Sequence, residues 1–311
     1  MKTREDAMRE AAELAVLAEW DPTARRRAFL FLCLWPALLV LLLVLVYPLF
    51  YNAILSFSDA NIERIHDWRL TGPQQYLLVF REPEFWVTFG RTVVWTVLCT
   101  AGQVAVGVIL ALVLQQECLR GRPAWRLLLL LPWAVPQYIT ALTWRSMFAG
   151  EDGAVNSFLA VFGIPAVDWL NQPVPAFAAM VLVNVWMGFP FMMTVALTGL
   201  HAIPDSVYEA AQLEGASWWQ QLTKLTAPLL RPVMLPATTL GIVWNFNSLN
   251  MVWLFSDGGE PAGTSHILSS YVYETAFTYY RFGWSAALSV VIFVIIFLAV
   301  QGFLQAGKLR R

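Results

Sequence analysis

Ionisable residues along this chain gather in short segments and withdraw from long ones. Six stretches hold no Asp, Glu, Lys or Arg: 28–58, 92–116, 127–144, 169–204, 232–256 and 282–307. An ionised group at the centre of a bilayer costs roughly 2.5–3.5 kcal/mol on the mildest scale, so stretches like these mark membrane spans. Crossing about 30 Å of hydrocarbon takes about 20 helical residues. Five stretches meet that length; the third is slightly short, and Arg126 and Arg145 can reach outward from its ends. The pattern predicts spans over 29–51, 88–114, 126–148, 177–200, 232–255 and 284–305. Runs such as LLVLLLVLVYPLF (38–50) and LSVVIFVIIFLAV (288–300) do not alternate, which disfavours a β-barrel. Helices satisfy their own backbone in lipid. The fold class expected is therefore an all-α integral membrane protein with six transmembrane helices.

Composition agrees. The 311 residues are 58% hydrophobic and 13% charged, where soluble domains carry about 25% charged residues. A net charge of -1 gives no basic surface for nucleic acid. Arg64, Arg69, Arg81, Arg91, Arg145 and Arg281 fall on one side of the predicted spans, and the other fourteen of the 20 basic residues fall on the opposite side. That bias places the richer side, with both termini, in the cytoplasm. ARRR at 24–27 and KLRR at 308–311 anchor the ends. The organisation expected is a cytoplasmic segment 1–27, a transmembrane domain 28–307 with its core at 88–305, and a basic cytoplasmic tail 308–311. Residues 1–24 can form an amphipathic helix on the membrane face or simply a solvated leader. The first apolar run begins too late and runs too long for a cleaved signal, and reads as a signal anchor.

Other chemistry is sparse. Cys33, Cys99 and Cys118 suggest no disulfide framework, and His66, His201 and His266 lie in separate loops without a metal-binding pattern. No GxxxxGK[ST] is present, so no nucleotide, cofactor or metal site is expected on this chain.

One loop breaks the rule that connections between spans are featureless. Residues 201–231 contain helix formers and caps. Pro204-Asp205-Ser206 can end one helix and open another, Tyr208, Ala211 and Leu213 give it an apolar side, and Gly215 permits a turn or a close approach. SWWQQLTKL then starts a second short helix, which Pro228 and Pro232 are expected to end before the next span. Such a shelf can pack under the bundle, or it can dock a partner. For docking, Glu209 supplies direction while Ala210, Ala211 and Gly215 let a second backbone approach.

Glu209-Ala210-Ala211, Gly215, Leu225 and Pro228 resemble the EAA motif of bacterial ABC importer permeases, written EAA, three residues, G, nine residues, then I-x-L-P. Ala216 matches the residue after the glycine, while Glu214, Leu225 and Ala227 replace the usual Asp, Ile and Leu. Segments 35–59, 76–92, 142–156, 186–204 and 245–277 are similar to the maltose/trehalose-type sugar permeases, in their shorter six-span form. At 91 the family's Asn is Arg, which should alter a span-end contact.

The resemblance implies the type I importer permease fold, with 201–231 as a cytoplasmic coupling helix seated on an ATPase subunit. Glu209, with Ala210, Ala211, Gly215 and Ala216, would make that contact, Glu209 through a salt bridge. It also implies the partners: a second homologous permease, two nucleotide-binding ATPase subunits that use ATP and Mg, and an extracytoplasmic substrate-binding protein. The location implied is the bacterial inner membrane.

Polar groups at cavity depth are candidates for cargo contact. In the fourth predicted span Asn184, Trp186, Gly188 and Phe191 lie within two turns, and Asn245, Asn247, Ser248 and Asn250 crowd the fifth. Amides pair with hydroxyls and aromatic faces cover C–H surfaces. The family's pattern of sugar contacts would fall on Asn184, Met187, Gly188, Phe191, Asn245 and Ser248. The same groups could instead tie helices together or face the partner permease. With no charge in these segments, a neutral disaccharide or oligosaccharide is expected. Glycerol 3-phosphate or a polyol is the alternative cargo; an ion-coupled secondary transporter or an inert scaffold is the alternative class. Against the former, no midplane helix break, inverted repeat or buried carboxylate is visible.

Overall fold

The computed structural model describes residues 8–9, 22–116, 118–261 and 263–308. The expected amphipathic segment 1–24 and the tail beyond Lys308 lie largely outside these residues, as do the side chains of Arg25, Arg26 and Arg27. The chain divides into two units, 1–55 and 56–311.

In the first unit, α1 (Pro22–Leu41) runs through a π-helical turn (Leu42–Val46) into α2 (Tyr47–Leu55). Phe29–Leu55 is long and apolar enough to cross a membrane. The wide turn has a chemical cause. Pro48 has no N–H, and in a regular helix its ring would collide with the carbonyl of Val44. Here the Tyr47 N–H bonds the Leu42 carbonyl, five residues back, so the helix is loosened where the ring needs room.

The second unit holds the remaining elements. After a 3-10 turn (Ile62–Arg64) they are α3 (Gln74–Arg81), α4 (Pro83–Gln115), α5 (Arg122–Ala134), α6 (Gln137–Phe148), α7 (Ala154–Val161), α8 (Pro173–His201) and α9 (Asp205–Leu213). After these come α10 (Trp218–Gln221), a π-helical turn (Leu222–Thr226), α11 (Ala227–Phe246), α12 (Leu249–Phe255), α13 (Leu268–Phe277) and α14 (Phe282–Lys308). No strand runs through the described residues, only an isolated antiparallel bridge between Ser58 and Leu70. Helices α4, α8 and α14, with the continuous run from Trp218 to Phe246, are long enough to span.

Two expected spans are corrected. Over 126–148 the sequence predicts one helix, and the structure has two, α5 and α6, meeting at 91°. Pro136 disfavours helical geometry at the residue before it, and Val135 accordingly sits extended at φ -80, ψ 130. The expectation that no helix breaks at depth is overturned at the same place. Unbroken helices therefore no longer argue against a secondary transporter; the loop 201–231 and the lack of a visible inverted repeat or carboxylate within the charge-free stretches still do. The fifth span, expected over 232–255, begins earlier and breaks sooner. Pro228 and Pro232 do not end the short helix, because the π turn before Pro228 makes the same adjustment as the one before Pro48: the Ala227 N–H bonds the Leu222 carbonyl. The real interruption is at Asn247 and Ser248, between α11 and α12.

Helix α4 packs along α8, and α11 crosses both. Small residues make this possible. A Cβ on Gly107 would come within 2.7 Å of the Met193 backbone, so the α4–α8 contact is backbone to backbone there. Ala111, Leu114, Met192, Met193, Ala196, Leu200, Leu230 and Met234 fill the seam toward α9. Toward the opposite end, Trp95, Met180, Val183, Met251 and Phe255 form a second buried cluster.

Candidate functional site

The loop with the EAA motif is ordered by its own backbone chemistry. Helix α9 ends with the Ala216 N–H bonded to the Ala211 carbonyl and the Gly215 N–H bonded to the Gln212 carbonyl, both at 2.9 Å. This closure needs a left-handed residue, and Gly215 supplies it at φ +81. A Cβ there would meet nothing within 4 Å, so within this chain the glycine serves the turn and not a close approach. Ser217 then caps α10 in a reciprocal capping box with Gln220.

The two faces of α9 differ. Val207 and Tyr208 pack on the core, Ala211 is buried, and the Tyr208 hydroxyl lies 3.1 Å from Thr226 Oγ1. Leu213, expected on this apolar side, is instead 91% exposed. Two residues along a helix is about 200° of rotation, which turns Leu213 away from Ala211. It joins Glu209 and Ala210 on the outer face, and Trp218 and Trp219 of the short helix that follows are exposed as well. An exposed carboxylate rimmed by small and large apolar groups is a surface fit to receive a partner.

At the depth of the two helix breaks lies a cavity of about 500 Å³, within the roughly 300–1,000 Å³ of small-molecule sites. It brings together Asn184, Met187, Gly188, Phe191, Asn245, Asn247 and Ser248. Asn250 is exposed on α12 and outside this lining, and Trp186 packs on Trp144 at a centroid distance of 5.3 Å. The lining also contains residues not picked from sequence: Gln103, Trp133, Gln137, Met192 and Trp244. Phe191 lies between Trp133 and Trp244, at centroid distances of 6.3 and 5.2 Å, giving the cavity an aromatic side.

Hydrogen bonding separates the polar groups into two kinds. Asn245 Oδ1 accepts from Asn184 Nδ2 (2.8 Å) and Gln103 Nε2 (3.2 Å), and its Nδ2 donates to Thr100 Oγ1 (2.9 Å) and Gln103 Oε1 (3.0 Å). Both donors and both lone pairs of that amide are therefore engaged. Gln103 Nε2 also donates to the Asn184 backbone carbonyl at 3.0 Å. In this conformation Asn184 and Asn245 tie α4, α8 and α11 together. Asn247, by contrast, is exposed, with its Nδ2 bonded to the Val243 carbonyl at 3.0 Å. Gln137 Nε2 donates to Ser248 Oγ at 3.2 Å and so joins the break at Val135 to the break at Asn247. Gln103 had a legible signal: it is the single Asn or Gln within 92–114. What the sequence did not offer was its partners.

The far end of the bundle carries the loop after α12. Gly258 and Gly259, a turn signal in sequence, both have positive φ, as does Asp257. Arg145 pairs with Asp257 at 2.8 Å and holds that carboxyl below its usual range. Arg91, the departure from the family pattern, donates to the Gly263 carbonyl at 2.9 Å and faces Glu84 at 3.4 Å, so it pins this loop to α4. His266 is buried, 3.2 Å from Glu274 and 3.1 Å from Ser270. Burial pushes its imidazole below the ordinary value of 6.5; Glu274, Glu84 and Glu260 oppose that shift and Arg91 adds to it. The sign follows. A depressed folded-state value means that the unfolded chain takes up the proton first, so stability from this group is complete above pH 6.5 and lost as pH falls from there toward the lowered value. Thermal unfolding of the purified protein should therefore fall more steeply between about pH 7 and about pH 5 in the wild type than in His266→Gln. Equal slopes would remove His266 from the acid response.

Residues 103–309 match the protein family described as binding-protein-dependent transport system inner membrane component. A "Probable ABC transporter permease protein" of Brucella suis biovar 1 is 33% identical over 275 residues, covering 88% of this chain and 94% of that protein. The trehalose/maltose transport system permease protein of Thermococcus litoralis is 32% identical over 284 residues, covering 90% and 94%. Among solved structures, a chain of a bacterial ABC transporter involved in the import of the acidic polysaccharide alginate superposes with a TM-score of 0.79 over 92% of this chain and 97% of that one. At 21% identity that likeness concerns the fold alone.

Proposed function

We propose, from the premise that the chain belongs to the family of binding-protein-dependent transport system inner membrane components, that it is one permease half of an ATP-driven importer of neutral di- or oligosaccharides. The observation that carries the cargo class is the cavity wall. Amides, a hydroxyl and aromatic rings line it, and no Asp, Glu, Lys or Arg is among its described residues. Hydroxyl-rich, uncharged molecules suit such a wall, whereas a phosphate or a polyuronate would require a cation in it. Relatives named for trehalose/maltose, galactooligosaccharide and maltodextrin transport support this reading.

The chain carries no covalent step; its part is conformational. A second permease would complete the passage, a binding protein would deliver cargo at the end bearing the Asp257–His266 loop, and ATPase subunits would act through Glu209, Ala210, Ala211, Gly215 and Ala216. Met187, Phe191, Asn247 and Ser248, with Trp133, Gln137 and Trp244, would meet the sugar, while Asn184, Gly188 and Asn245 shape the wall. The test is to purify the whole complex with its delivery protein and measure ATP turnover with maltose, trehalose, galactobiose and an alginate trisaccharide. Stimulation by a neutral sugar is the expected result. Stimulation by the alginate trisaccharide alone, or by none of the four, would overturn it.

A further inference from the structure

We propose that Gln103 is the positioning residue of the translocation cavity: by clamping Asn245 it fixes the helix break at Asn247 and Ser248, and through that break the affinity for cargo. This rests on the transport reading above. Three observations meet at this side chain. First, Gln103 is buried, and its amide exchanges two hydrogen bonds with Asn245 while giving a third to the Asn184 backbone. One side chain on α4 thereby bonds both α8 and α11, beside the direct bond between Asn184 and Asn245.

Second, Gly188 makes the clamp possible. A Cβ there would overlap the Gln103 carboxamide, so the sequence has left open the space that this side chain occupies. Third, Asn245 stands in the last turn of α11. Its backbone carbonyl accepts from Trp95 Nε1 at 2.9 Å and from the Ser248 N–H at 3.2 Å. Fixing Asn245 therefore fixes where the chain leaves the helix and where Asn247 faces the cavity. The amide of Asn245 has no capacity left for cargo, and Gln103, although it lines the cavity, gives its N–H groups to Asn184 and Asn245, so its influence on binding is assigned to geometry, and the double variant below separates that from direct contact.

The test uses the intact complex reconstituted in liposomes, with its delivery protein and whichever of maltose, trehalose or galactobiose drives the wild type. Gln103→Met keeps the length and volume of the side chain while removing its hydrogen bonds. The half-saturating sugar concentration is expected to rise about tenfold with the maximal rate changed by less than about twofold. If Gln103 acts through Asn245, the double variant Gln103→Met/Asn245→Ala should be no worse than Asn245→Ala alone. An unchanged half-saturation, additive losses in the double variant, or failure of Gln103→Met to assemble would each overturn the positioning role. A wild-type complex that responds to none of these sugars would instead overturn the transport reading on which it rests.

Discussion

Gly188→Ala is expected to destabilise the bundle by about 2–4 kcal/mol, although alanine is the better helix former by about 1 kcal/mol. The new methyl would occupy the position of the Gln103 carboxamide. A long side chain can swing away from such a contact cheaply, but this one carries three hydrogen bonds, and moving it leaves buried groups on Asn184 and Asn245 without their partner. Gly90→Ala provides the comparison, because a Cβ there meets nothing within 4 Å and should be neutral or mildly stabilising. The measurement is the detergent-solubilised melting temperature and the yield of monodisperse protein for both variants. Gly188→Ala/Gln103→Ala should recover little of the loss, since the shortened side chain clears the methyl but leaves the same groups on Asn184 and Asn245 unpaired. A Gly188→Ala protein as stable as wild type would mean that Gln103 has another place to go.

The largest functional effect is expected at Glu209. Glu209→Ala should reduce cargo-stimulated ATP turnover of the reconstituted complex by about thirtyfold or more, the scale of truncating one member of a charged pair at a protein interface. Membrane insertion and the fold of this chain should be unaffected. Glu209 is exposed on the outer face of α9, with no ion-pair partner among the described residues, so nothing inside the chain depends on it. Retention of the full stimulated rate would remove Glu209 from coupling, and loss of the inserted chain would make it a folding residue.

The spans were legible because one physical penalty, that of charge in hydrocarbon, outweighs most local effects. The two interruptions were not. Pro132, Pro190, Pro232 and Pro236 lie inside helices that continue, whereas Pro136 stands at a 91° bend. A proline breaks or merely loosens a helix according to whether the displaced carbonyl finds room or another donor, and sequence names neither. The break at Asn247 has no proline at all. Polar residues at depth followed the same division. Their types pointed to a hydroxyl-bearing cargo, but Asn245 and Asn247, two positions apart, do different work. One has every hydrogen-bonding position engaged across three helices, and the other opens to the cavity. Leu213 shows the limit on the coupling loop: its apolarity suggested an inward side chain, and only the helical phase from Ala211 places it outside.

The helix from Trp218 to Phe246 runs 29 residues without interruption, about 43 Å at the usual rise. It begins one residue after the capped turn that follows the EAA helix and ends at the residue before the break in the cavity. The proposed coupling surface and cargo site thus stand at two ends of one helical rod, which the π turn at Leu222–Thr226 and the prolines after it loosen without breaking. A rod of this kind transmits rotation as well as displacement, and each added or deleted residue would turn one end against the other by about 100°. On the proposed function its length would be as constrained as its composition, because it would set the angular phase in which an event at the ATPase side reaches Asn245.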